Sequence, residues 1–407
     1  MKQEVCYFLY NERPSSGLIN SQVLSLLKEI KSSSLDLNIT VVAFWQFWIY
    51  FKYRAELAEM TSKLRGMGVR VKSFPFAIPE RFFFSNRFPL MLARVLVSLF
   101  VLVSFKKYDV IHSRGYFSSL ITSDLKKWLG FPKILFDGRS LYPLEHITIG
   151  TWKETDPIFK YWKDLEKRII ENSTYSIGVS RPLVDELKRI SPKAKVCYIP
   201  CCVDTQRLYY SEEQRNLIRD KMDWKDKHVI VYLGSLNIDF WNDINIYGSY
   251  FKRIAEIDQS AFFLIVTNSD TEVLKVVLRS SLPVNSFKII SSKYDDLYKW
   301  LSASDAGIQV MKPIADGFSR LGVKVAEYLA CGLPIIVNSN VGGAAAILKE
   351  HDTGVELNIE DPELFKSKYM TFIGRFDDMR QKCMTLAEKE FSIRVVSDRY
   401  KKIYRNG

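Results

Sequence analysis

The chain is expected to fold as an α/β protein in two halves, each a parallel sheet with helices on both sides. Three observations predict this. Apolar strand-like runs alternate with helical stretches through the first 200 residues; a polar, charge-rich stretch without strands follows at 206–226; and a fresh first strand, His228–Leu233, restarts the alternation. Such alternation places strands in parallel, because each crossover returns through a helix. With 407 residues, each half is long enough to bury a core of its own. A hydrophobic content of 47% and a charged content of 26% belong to the soluble globular class.

In order, Val5–Tyr10 reads as a strand, followed by a loop with Ser15-Ser16-Gly17 and an amphipathic helix near 20–31. Asn38–Phe44 is the second strand, 54–66 a helix ending at Gly66, and Val69–Phe74 the third strand. An apolar helix at 89–105 leads to strand Val110–His112; Lys133–Phe136 then ends in Asp137-Gly-Arg139. Helix 157–172, strand Tyr175–Val179, helix 182–190 and strand Ala194–Ile199 complete the half, expected to span residues 1–205. The second half, 227–382, carries strands at His228–Leu233, Phe262–Val266, Phe287–Ile290, Ala306–Val310 and Pro334–Val337. No short-period repeat or low-complexity tract intervenes. The symmetry is one of two Rossmann-like halves.

The net charge of +12 is unevenly placed. Residues 1–200 hold 30 Lys+Arg against 18 Asp+Glu, whereas 201–407 hold 28 of each. The excess is densest at 51–100, with nine basic and three acidic residues, beside the aromatic run Phe44–Tyr53 and around Phe82-Phe83-Phe84. Basic side chains beside exposed aromatics suit an anionic membrane surface; the alternative is a local aromatic core with solvated charges. Arg94 interrupts the apolar segment 89–105, leaving 11 uncharged residues from Val95 to Phe105, where spanning needs about 20, so a buried or surface-lying helix is expected. No zinc spacing or RNA-binding aromatic signature accompanies the charge, so nucleic acid is not expected as partner. The six cysteines lack metal-ligand spacing with the four histidines and no signal peptide is visible, which points to a reduced, cytoplasmic compartment.

The most informative stretch is Ser319-Arg-Leu-Gly-Val-Lys324-Val-Ala-Glu327-Tyr-Leu-Ala-Cys-Gly332-Leu-Pro334, running into the buried strand Ile335-Ile-Val-Asn and the loop at Gly342-Gly343. On a helix, Arg320, Lys324 and Glu327 fall at i, i+4 and i+7 and share one face within roughly 60° of arc. Such a face is commonly only solvated. Here it opens a helix whose free N–H groups already favour anions, and the glycines follow at the C-terminal end of a strand, where open α/β sheets bind ligands. A phosphate carrying sugar hydroxyls suits two cations and one carboxylate.

This segment resembles the donor-binding segment of GT-B glycosyltransferases, especially glycosyltransferase family 4. Asp109-Val-Ile-His112-Ser-Arg114-Gly, Asp137-Gly-Arg139 through Glu145, Ile199-Pro200-Cys-Cys-Val203-Asp204 and Ser302-Ala-Ser-Asp305-Ala-Gly-Ile resemble further family segments in the same order. The resemblance implies two Rossmann-like domains facing across a cleft, with a last helix, about 383–405, crossing back onto the first domain. It implies that Glu327 bonds the nucleotide ribose and that Ser319, with the backbone of Gly317 and Phe318, lies near the donor sugar. Family members commonly place Glu at the position of Ser319 and Pro at that of Gly322. His112, Arg114 and Arg139 should then face the cleft as catalytic candidates. Gly234 and Ser235 end the second half's first strand, where relatives continue with two diphosphate-binding cations; here Asn237-Ile-Asp-Phe-Trp-Asn follows, which leaves Arg320 and Lys324 as candidates for that role. Gly342-Gly343 would let backbone approach the ligand. Tyr294, in Ser292-Lys293-Tyr294, and Asn268-Ser269-Asp270 could border the base.

No Asp-x-Asp occurs, and the resemblance likewise implies a metal-independent enzyme without a cofactor, with a nucleotide-diphosphate sugar as substrate. The expected activity is a retaining sugar transfer to a lipid-linked or polysaccharide acceptor at the cytoplasmic membrane face, in surface polysaccharide assembly. The alternatives are a GT-B nucleotide-sugar 2-epimerase and a non-catalytic sugar-nucleotide scaffold.

Overall fold

In the computed structural model of the chain, residues 2–12, 14, 19–77, 100, 107–129, 133–236 and 242–405 are described. They divide into two compact units: Met1–Val179, Leu183–Pro200 and Val396–Gly407 form the first, Ser180–Pro182 and Cys201–Val395 the second.

The first unit is built on seven strands: β1 (Gln3–Tyr10), β2 (Leu37–Phe44), β3 (Arg70–Phe74), β4 (Val110–Arg114), β5 (Lys133–Asp137), β6 (Tyr175–Gly178) and β7 (Val196–Tyr198). All pairings are parallel, in the order β3-β2-β1-β4-β5-β6-β7. β1 is buried from Val5 to Tyr10 on both faces, as a central strand covered by helices must be. β4 continues two residues past the expected end, so that Arg114, not His112, closes it.

The second unit has six parallel strands: β8 (His228–Leu233), β9 (Ala261–Val266), β10 (Phe287–Ile290), β11 (Ala306–Gln309), β12 (Ile335–Val337) and β13 (Gly354–Glu356), ordered β10-β9-β8-β11-β12-β13. β13 was not expected; it is a three-residue edge strand, too short to leave an apolar run. β8 shows how the sheet separates two cores: Val229 and Val231 enter one, Ile230 and Tyr232 the other.

Residues 206–226 hold no strand, as expected, but they are ordered by a helix. They contain the helix Glu212–Met222, capped by Ser211 and ended by Asp223 in a left-handed conformation. Arg215 and Arg219 of that helix both grip the buried Asp305 carboxylate. The single last helix expected at 383–405 is instead two helices, Phe376–Leu386 and Ile393–Arg405, joined by a π turn and broken at the extended Ser392. Within the first unit, Gln3 and Lys133 both donate to the Tyr404 carbonyl at 2.7 Å, Lys401 reaches Ser33, and Arg405 pairs with Asp36.

Candidate functional site

An open parallel sheet binds ligands beyond the carboxyl ends of its strands where strand order reverses. In the second unit this point lies between β8 and β11. Gly234 follows β8 directly with φ +124°, a conformation L side chains rarely adopt, and its N–H donates to Val266. Two tyrosines clasp the strand end. Tyr328 accepts the Leu233 N–H at 2.8 Å, and Tyr232 donates to the Ser235 carbonyl at 2.7 Å. The Tyr232 ring packs edge-on against Tyr247, 4.4 Å between centroids.

Lys324 enters this corner from the helix Val323–Ala330. Its Nζ is buried and has no hydrogen-bond partner among the described residues, and it rests 4.1 Å from the centroid of the Tyr232 ring. A Cβ placed on Gly234 would lie 3.4 Å from that Nζ, so the missing side chain keeps the space beside the ammonium open. Burial pushes the lysine down to about 7, against the opposing pull of Glu327 one turn along. Burial likewise pushes Glu327 up to about 7 against Lys324. A buried cation lacking an acceptor is costly, and an anion entering here would relieve it. The helix N-terminus adds its own free N–H groups, since the cap position, Gly322, has no side chain.

The shared face of Arg320, Lys324 and Glu327 requires correction. The helix begins at Val323, and Arg320 sits in extended backbone before it. Its guanidinium pairs at 2.7 Å with Asp316, which is fully buried. Lys324 and Glu327 do share the helix. Around them, glycines permit tight packing of the loop: a Cβ on Gly322 would meet Gln309 at 2.2 Å and one on Gly317 the Asn340 carbonyl at 2.7 Å. A Cβ on Gly342 would lie 2.4 Å from the Phe318 carbonyl oxygen, and one on Gly343 2.5 Å from that of Arg320. Gly342 and Gly343 thus admit this loop rather than an open space. Ser319 is buried with its hydroxyl on the Asp316 carbonyl, whereas Phe318 is exposed at the loop tip.

Tyr294 stands within electrostatic reach of Glu327, and burial, with that charge, raises its phenol. Arg207 covers its ring at 4.7 Å. Ser269 ties β9's end to β8's by accepting the Leu236 N–H. The second unit therefore brings together Gly234, Ser235, Lys324, Glu327 and Tyr294, with Gly317, Phe318, Ser319 and Arg320 in the adjoining loop.

The first-unit candidates form a separate buried cluster around Asp137. His112 is fully buried, with Nε2 3.3 Å from the Asp137 carboxylate and Nδ1 2.7 Å from the Tyr404 hydroxyl. Burial lowers the histidine despite Asp137, so the ring is neutral, with its proton on Nε2 toward Asp137 and Nδ1 accepting from Tyr404. Both nitrogens are engaged within the fold. Arg139, at φ +62°, lies 3.0 Å from Asp137, and Arg114 lies 3.0 Å from Glu12 and 3.7 Å from Asp137. Burial pushes the Asp137 carboxyl up, but Arg139, His112 and Arg114 outweigh it and hold the group well below the usual range.

The aromatic run is part core and part exposed. Phe44 and Trp45 are core, whereas Phe47, Trp48 and Phe51 are 63%, 54% and 52% exposed on the short helix Phe47–Lys52. Phe82-Phe83-Phe84 and nearly all of the helix expected at 89–105 lie outside the described residues, as do residues 237–241. Among the described residues no helix is long and apolar enough to cross a membrane, and no group of His, Cys, Asp or Glu could hold a metal ion.

Sequence reasoning missed Tyr232, Asp316, Glu12 and Tyr404. Asp316 carried a signal, its i, i+4 spacing to Arg320. Tyr232 reads only as a core strand residue, and Glu12 and Tyr404 act across separations that no local pattern encodes.

The first half matches the family model for Glycosyltransferase Family 4 over residues 39–207, and the second that for Glycosyl transferases group 1 over 227–375. No curated protein matches the chain. Among solved structures, HepE from Anabaena in complex with UDP is similar at TM-score 0.70 and 13% identity, covering 99% of both chains. Sucrose-phosphate synthase from Thermosynechococcus elongatus is similar at TM-score 0.72 and 14% identity, over 99% of this chain and 98% of that one. A glycosyltransferase from Rickettsia africae is similar at TM-score 0.67 and 14% identity over the whole of both chains. At these identities the likeness is one of fold.

Proposed function

The chain belongs to the GT-B glycosyltransferases of family 4, and from that premise we propose a retaining enzyme that moves a hexose-type sugar from a nucleotide-diphosphate donor to a lipid-linked or polysaccharide acceptor. The observation that carries the donor half is the buried Lys324 ammonium, without an acceptor among the described residues, beside Gly234 at the strand-order reversal of the second sheet. In this reading Lys324 and the N-terminus of its helix take the diphosphate, Glu327 accepts from the ribose hydroxyls, and Tyr294 lies toward the base. The loop 316–320, held by the Asp316–Arg320 pair, presents backbone to the sugar. HepE was solved with UDP, which makes UDP-sugars the first donors to try.

The bond between the anomeric carbon and the diphosphate breaks as the acceptor oxygen attacks on the same face, and the acceptor proton passes to the departing phosphate. Fixed positive charge at the leaving group is the largest help a protein gives such a step. The reading invokes no metal, so EDTA should leave turnover unchanged.

The acceptor half draws on the exposed Phe47, Trp48 and Phe51 in the basic stretch of the first unit. Apolar rings flanked by Lys52 and Arg54 suit an anionic bilayer carrying a lipid-linked acceptor, which would place the enzyme at the inner face of the cytoplasmic membrane in surface polysaccharide assembly. The test is turnover of UDP-, GDP-, ADP- and dTDP-sugars with and without membrane extracts. Acceptor-dependent release of nucleoside diphosphate with an unchanged anomeric configuration supports the reading. Conversion of donor alone to an epimer, or binding without turnover, overturns it.

A further inference from the structure

Tyr232 has no part in the reading above, yet its ring lies beneath the ammonium on which that reading depends. Lysine carries its charge on a flexible four-carbon stem that ordinarily swings toward water. Lys324 instead lies inside, with no acceptor among the described residues, and its Nζ is 4.1 Å from the Tyr232 ring centroid. The negative face of that ring is attractive to a cation where no hydrogen bond is available. The same side chain acts a second time: its hydroxyl donates at 2.7 Å to the Ser235 carbonyl and so sets the turn after Gly234. Leucine would be apolar and smaller, with neither the electrostatic face nor the hydroxyl, and phenylalanine would offer the face without holding the turn.

We infer that Tyr232 is the positioning residue of the diphosphate site, its ring seating the Lys324 ammonium until a ligand arrives and its hydroxyl shaping the Gly234–Leu236 turn that the ligand approaches. The inference rests on the donor-site reading of Lys324. The groups around the ammonium are Glu327 on its own helix, Tyr232 on β8 and, behind that ring, Tyr247 on the helix Ile244–Ile257. Glu327 is the charged group that acts on it, so the ring is the neutral contribution that favours the protonated lysine.

The experiment titrates the full chain with UDP, GDP and ADP by calorimetry between pH 6.5 and 9. In wild type the affinity should bend downward with rising pH, because a neutral lysine must take up a proton to hold phosphate. Tyr232→Leu should weaken binding about tenfold and move the bend to lower pH. Tyr232→Phe should weaken binding less and leave the bend in place. Lys324→Met should remove the bend. Should Lys324→Met bind like wild type, or none of the three nucleotides bind, the donor-site reading falls and this inference with it. Should Lys324→Met lose binding while Tyr232→Leu and Tyr232→Phe keep one common bend, the site stands and the role of Tyr232 is overturned. If Tyr232→Leu does not fold, wild-type NMR decides. A lysine ε-methylene resonance shifted upfield by the ring, and missing in Lys324→Met, supports the seat; its absence from wild type overturns it.

Discussion

Tyr404 places its hydroxyl 2.7 Å from Nδ1 of His112, across a sequence separation of 292 residues, and thereby ties the last helix to the centre of the first sheet. Tyr404→Phe loses one buried hydrogen bond and leaves the histidine nitrogen unsatisfied, at a cost of about 1–3 kcal/mol. Tyr404→Ala also opens a cavity, at about 3–5 kcal/mol. Urea unfolding of both variants should rank them in that order; equal stabilities would mean that the contact holds nothing together.

Lys324→Met should make the ligand-free protein more stable while abolishing its stabilisation by nucleotide. The folded lysine is depressed to about 7 against roughly 10.4 unfolded, so the unfolded chain binds more protons between those values. The wild-type penalty is therefore complete below pH about 7 and fades as pH rises. The stability gap between variant and wild type should shrink from pH 7 to pH 10, which thermal unfolding at fixed ionic strength would read. A gap independent of pH would show that the ammonium is not desolvated.

Asp137→Asn should cost about 3–5 kcal/mol, because Arg139 and Arg114 both lose the buried charge they face, although Arg114 keeps Glu12. The Asp137 carboxyl is depressed in the folded state, so its contribution is present above the unfolded value of about 3.9 and is lost as pH falls below it. Acid unfolding should be steeper in wild type than in the variant. Parallel profiles below pH 4 would remove Asp137 from the centre of the cluster.

Gly342→Ala drives a Cβ into the Phe318 backbone and should cost about 1–3 kcal/mol while weakening nucleotide binding through the displaced loop. Gly66→Ala, where a Cβ meets nothing within 4 Å, serves as the control and should be near neutral. If the two variants unfold at the same temperature, the loop is not held as described.

Replacing Phe47, Trp48 and Phe51 together by Gln should abolish flotation with phosphatidylglycerol liposomes and leave soluble-donor binding unchanged. Wild type should float less as salt rises, since screening weakens the basic flank. Flotation that ignores both changes would separate this surface from the membrane.

The two sheets were legible because strands such as β1, β2, β8 and β9 are largely apolar runs and helical stretches alternate with them. The reading failed where geometry overrode spacing. Arg320 has the i, i+4 relation to Lys324, but Gly322 delays the helix until Val323, so the residue turns to Asp316 instead. Gly342 and Gly343 announced a close approach correctly in kind, yet what approaches is the chain itself. The Tyr232 seat could not be read at all: it joins a strand to a helix about ninety residues later, and a tyrosine in an apolar run looks like core whichever face carries a charge.

The hold of residues 401–405 on Ser33, Asp36, Lys133 and Gln3 has a consequence for how the protein is made. The sheet of the first unit is sealed by a segment that leaves the ribosome only after the second unit has been made. Throughout synthesis of the whole intervening unit, β1 and β4 wait with His112 uncovered. Folding here runs against the order of translation, and the nascent chain must be kept from wrong partners until the helix Ile393–Arg405 arrives.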